Sequence, residues 1–150
     1  MMKKKKKINE NKTINFVETD SVDFLTKLAE MCEGLIYMSE TDAEFIVFKG
    51  TKIEVLSKET ILAQIKGSPI VAVEEQNFDE LFLRLTTIKN WFGEPEKQKA
   101  NRYGELQEFM KANLKDLKVF RIGKIQVDIY IVGIDAEGNL IGLKTNAVET

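Results

Sequence analysis

The chain has 150 residues, 43% apolar and 31% charged, with 9 glycines and 2 prolines, which is the size and make-up of one folded domain. A single cysteine and no histidine exclude an internal disulfide framework, a thiolate zinc cluster and any chemistry needing imidazole from within the chain. The formal charge of -2 is unevenly spread: without the Lys3–Lys7 run, 17 basic side chains face 24 acidic ones, a balance of -7 over residues 8–150. Such a domain repels nucleic acid and suits a basic partner, although acidity also serves solubility alone.

The lysine run resembles the charged start of a secretory signal, but Ile8 to Asn15 supply no apolar core of seven or more residues. No stretch of about 18 apolar residues follows anywhere, so no membrane span is expected and the protein is expected in the reducing cytoplasm. Residues 1–19 read as a disordered, solvated, lysine-rich tail, and residues 20–150 as one domain.

From Asp20 the pattern becomes helical, with Phe24, Leu25, Leu28, Met31 and Cys32 on one stripe. Asp20 or Ser21 is placed to cap its start and Gly34 to end it. Phe45–Phe48 and then Lys52–Leu56 read as a hairpin or two successive strands, bounded by Gly50. Ser57 opens a short helix with Ile61, Leu62 and Ile65 on one side, closed by Gly67, and Ile70–Glu74 reads as a β-branched strand. Phe78, Leu81, Phe82 and Leu85 mark another helix, and Thr86–Pro95 has no period and reads as a loop.

A longer helix is expected from about Glu96 to Leu114, with Tyr103, Leu106, Met110 and Leu114 facing inward. Gly104 weakens it by about 1 kcal/mol relative to alanine, which suggests a close neighbour there. The last third reads as strands: Lys118–Ile122, Ile125–Ile134 and Leu140–Thr145, the last two joined by a turn over 135–139. The central strand is apolar at nearly every position and so needs cover on both faces. The implied fold is α+β, a three-layer α/β/α sandwich around one mixed, largely antiparallel sheet.

No His and no Ser-x-x-Lys pair in a suitable setting is present to activate a Ser or Cys nucleophile, which leaves a pair of carboxylates as the open acid–base alternative. Ser39-Glu40-Thr41-Asp42-Ala43-Glu44 spaces its carboxylates as a calcium loop begins, but Phe45 and Thr51 stand where glycine and a bidentate glutamate belong. Cys32 lies in the apolar stripe of the first helix, which favours an inert thiol. Trp91, the lone tryptophan, sits in a polar loop, where it serves either as a lid on the core or as a contact anchor, and the lid is the expectation from composition.

Several segments together resemble the nuclease A inhibitor family. These are Gly34-Leu35-Ile36-Tyr37-Met38-Ser39-Glu40, Phe45 and Phe48, Thr86-Thr87 with Trp91, Val127 to Gly133, Gly138-Asn139-Leu140 and the closing Val148-Glu149-Thr150. The resemblance covers about residues 22–150. It implies a non-enzymatic protein that blocks a magnesium-dependent, sugar-non-specific nuclease in a one-to-one complex. It also implies that Glu40 ligates the Mg²⁺ of that enzyme, with no cofactor of the chain's own. Trp91, with Asn90 before it, and Thr150 match the family's other partner contacts, and Asp42 adds charge beside Glu40. Asn90 stands where the family pattern has an acidic residue. The rival expectation is a binding module of the same fold with a different partner and no nuclease inhibition.

Overall fold

In the computed structural model, residues 16–65 and 72–150 are described, with side chains from Asp23 onward in the first helix. The fold is mixed α/β. Helix α1 spans Phe16–Cys32, and Phe24, Leu28 and Cys32 are buried. Asp20 and Ser21 therefore lie inside the helix rather than at its cap, and residues 16–19 belong to it; the rest of the expected tail lies outside the described residues. A polar residue that can cap a helix is also tolerated in its interior at modest cost, so the capping signal did not fix the boundary. Gly34 does end it, at φ 80°, in the left-handed region that suits glycine.

Two short strands follow, β1 (Ile36–Met38) and β2 (Asp42–Glu44), paired antiparallel as a separate hairpin. Strand β3 runs Ile46–Lys52, so residues 53–56, expected as strand, lie beyond its end. Helix α2 (Lys58–Gln64) is capped as its sequence suggests: the Thr60 backbone N–H donates to Ser57 Oγ at 3.2 Å, and the Ser57 N–H to Thr60 Oγ1 at 2.8 Å. The expected Gly67 stop and residues 70–71 of the next strand lie outside the described residues; β4 is Val73–Asn77.

Helix α3 (Phe78–Thr86) buries Phe78, Leu81 and Phe82, and Asn77 Oδ1 caps it by accepting from the Glu80 N–H at 2.9 Å. Helix α4 (Glu94–Asn113) buries Tyr103, Leu106 and Met110, with Leu114 at its end. The crowding expected at Gly104 is not found: a Cβ there would meet Thr86 Cγ2 at 3.9 Å, an ordinary contact. The chain closes with β5 (Lys115–Ile122), β6 (Gln126–Ile134) and β7 (Asn139–Val148).

Five strands form one sheet in the order β3-β7-β6-β5-β4, and every pairing is antiparallel. The expected mixed sheet is thus corrected. Tight turns join β5 to β6 and β6 to β7, and α3 and α4 return the chain beside β4, so no parallel crossover is made.

Alternation along β6 explains its apolar run. Val127, Ile129 and Ile131 join Leu28, Phe82, Leu106 and Met110 in one buried cluster, whereas Tyr130, Val132 and Ile134 join Leu56, Ile61 and Leu140 in another. Each such side chain contributes roughly 1.5–3 kcal/mol when fully buried, so a one-residue slip of β6 would exchange both sets and is strongly disfavoured. Among the described residues, no helix is long and apolar enough to cross a membrane.

Candidate functional site

Helix α4 sets the position of the β1–β2 hairpin. The Arg102 guanidinium donates to the Met31 and Glu33 carbonyls at the end of α1, and the Tyr103 hydroxyl donates to the Ile36 carbonyl at 2.9 Å. A cation is favoured at that helix terminus, where carbonyls lack partners. On the other side, Thr145 of β7 donates through its hydroxyl to the Glu44 carbonyl at 2.9 Å. Both strands of the hairpin are therefore tied to the main body.

Pairing of Met38 with Asp42 leaves Ser39, Glu40 and Thr41 as the hairpin tip. Ser39 Oγ donates to the Thr41 carbonyl at 2.7 Å and accepts from the Thr41 N–H at 3.3 Å and the Val148 N–H at 3.1 Å. The Glu40 N–H donates to the Val148 carbonyl at 3.3 Å. These bonds carry the end of β7 to the tip, which explains why Ser39 precedes Glu40: one hydroxyl shapes the loop and fastens the distant strand.

The exposed Glu40 carboxylate meets Thr150 directly. The Thr150 N–H donates to Oε2 at 2.7 Å, and its hydroxyl lies 2.9 and 2.8 Å from Oε1 and Oε2. The backbone N–H, followed by the hydroxyl, holds the Glu40 carboxyl below the usual carboxylate range, against a smaller opposing cost of desolvation. Glu40 is thus kept ionised and oriented while facing solvent. Asp42, also exposed, begins β2 two residues on.

The second predicted region is the α3–α4 loop. Trp91 is 74% exposed and lies edge-on to Phe92, with ring centroids 4.8 Å apart. The core-lid expectation is therefore wrong; apolarity predicts burial only when a concave surface is available, and this residue sits on a turn. Asn90 is exposed in the same turn, closed by the Phe92 N–H donating to the Lys89 carbonyl at 3.0 Å. Leu83 and Ile88 leave further apolar surface exposed nearby in the chain. Among the described residues, no hydrogen bond or ion pair joins this loop to the Glu40 hairpin.

Burial pushes the Cys32 thiol up to about 11, with the Arg102 charge opposing, so it is an unreactive core group. Among the described residues, no group of three or more His, Cys, Asp or Glu is arranged to hold a metal ion. Sequence reasoning missed Ser39 and Arg121; Arg121 forms an ion pair with Glu149, next to Thr150. The contacts that tie them to the chain end, Val148 for Ser39 and Glu149 for Arg121, lie far along the chain, so local pattern carried no signal for those roles.

The mixed α/β body thus offers one oriented carboxylate from a hairpin tip and an exposed tryptophan from another loop. The model of the nuclease A inhibitor-like protein family matches residues 22–150, and the chain belongs to that family. A comparison with curated proteins found no match.

Proposed function

We propose that the chain inhibits a magnesium-dependent, sugar-non-specific DNA/RNA endonuclease by forming a one-to-one complex in the cytoplasm. The observation that carries this reading is the exposed Glu40 carboxylate held by both donors of Thr150. A carboxylate is a hard oxygen ligand, and Mg²⁺ usually keeps waters that such a ligand can replace. Glu40 is suited to complete the coordination sphere of an ion held by the partner, taking the place of a substrate phosphate. Asp42 extends the negative charge of the tip, Thr150 closes its edge, and Trp91 with Asn90 forms a second contact, apolar at the indole and polar at the amide.

The acidic balance over residues 8–150 favours approach to a cleft that binds nucleic acid, because opposite charge accelerates encounter in a salt-dependent way. The two core clusters flanking β6 support reading the domain as a three-layer α/β/α sandwich, a rigid base for both contact regions. Titration tests the proposal: digestion by a cognate nuclease should stop near one equivalent of this protein. Undiminished digestion at large excess, across nucleases of this class, would leave the rival reading of a module with another partner.

A further inference from the structure

Sheet pairing of β7 ends at Val148, opposite Gln126, so the last two residues need other means of support. The Glu149 N–H donates to the Ile125 carbonyl at 2.8 Å, one backbone bond that leaves the following torsions unconstrained. Additional support comes from Arg121 on β5, whose residue is only 9% exposed. Its guanidinium forms an ion pair with Glu149, and its Nε lies 3.8 Å from Glu74 Oε1 on β4.

Burying a guanidinium is costly, and a well-packed apolar side chain at such a place is often equally or more stabilising. Stability alone therefore accounts poorly for arginine here. Its planar, multi-donor head can engage several groups in fixed directions, which an ammonium does less well. The groups it engages lie on β4 and on the residue preceding Thr150.

We infer that Arg121 is a positioning residue for the Glu40–Thr150 pair, holding Glu149 so that the chain end meets the Glu40 carboxylate. This deepens the proposed function and rests on it for any effect on inhibition; the effect on Glu40 itself needs no nuclease. Glu149 is the arm of the device, Arg121 its fixed point, and Ser39 the separate tie that holds the preceding backbone.

The test is a carbon-detected NMR titration of the Glu40 carboxyl in the full chain, for wild type, Glu149→Gln, Arg121→Lys and Arg121→Met. Glu149 is partly exposed, so its substitution is expected to leave the fold intact, checked by amide spectra. Wild-type Glu40 should titrate below the ordinary glutamate range. Glu149→Gln and Arg121→Met should move it upward and shift the Thr150 amide signal, with Arg121→Lys between them. Inhibition should fall about 10- to 100-fold with the first two, as when a residue that orients a metal-binding carboxylate is lost.

An unchanged Glu40 titration and Thr150 signal in Glu149→Gln would overturn the inference. So would a lower melting temperature in the Arg121 variants with Glu40 unmoved, which would assign Arg121 a purely structural role. Because the titration uses the free protein, failure to inhibit any nuclease would count against the proposed function and leave this result standing.

Discussion

Glu40 and Trp91 are both exposed, yet the two regions that carry them are built differently. Glu40 stands on a hairpin whose strands are tied to α4 and β7, and its carboxylate is already occupied by Thr150. Trp91 stands on a turn between two helices, and its recorded ring contact is with its neighbour Phe92. The contrast teaches that a charge and an aromatic ring need different preparation. A carboxylate gains specificity from being aimed and kept ionised before contact, whereas an indole, with only two side-chain torsions, presents a large rigid surface at little entropic cost.

The largest effect is expected from Glu40→Gln, which keeps shape and removes charge. Inhibition should weaken by about 30-fold to several thousand-fold, as expected for loss of a desolvated charge contact; unchanged potency would remove Glu40 from the mechanism. Removing Thr150 should follow at about 10- to 100-fold, because Glu40 then loses both donors. Combining the two changes should cost little more than Glu40→Gln alone, and full additivity would show that the residues act independently.

Trp91→Ala should weaken binding by about 30-fold, the size of a modest interface hot spot. Its stability should stay within about 0.5 kcal/mol of wild type by denaturant unfolding, since the ring covers no core. A large stability loss instead would restore the lid reading. The smallest effect concerns pH. A depressed folded-state carboxyl contributes stability that is fully present above the unfolded value and is lost as pH falls through the folded value. The Glu40–Thr150 pairing should therefore persist down through the ordinary glutamate range, about 4.3, and dissolve below it, followed by the Thr150 amide signal.

Much of the fold could be read directly where local pattern and tertiary packing agree. The stripe Phe78, Leu81, Phe82 became α3, Ser57 capped α2, and Gly34 stopped α1. The β1–β2 hairpin could not be read, because strands of three residues are too short for alternation to register. Lys52–Leu56 carried strand-forming residues, but β3 loses its partner near Asn139, and pairing rather than propensity decides where a strand ends. For the proposed site, Glu40 and Thr150 came from family resemblance, whereas Trp91 already stood out in a polar loop as a lid or a contact anchor. The geometry of Glu40 and Thr150 depends on contacts across 110 positions, which no local window contains.

The position of β7 between β3 and β6 has a kinetic consequence. Strand β7 pairs with β6 across a short turn but with β3 only across most of the chain, and non-local pairings of this kind slow folding because loop closure precedes any reward. The held form of the carboxylate needs the end of β7 in place beside the hairpin tip. A chain caught short of it contains every required residue but lacks their arrangement, so recovery of activity during refolding should track completion of the whole sheet rather than formation of its helices.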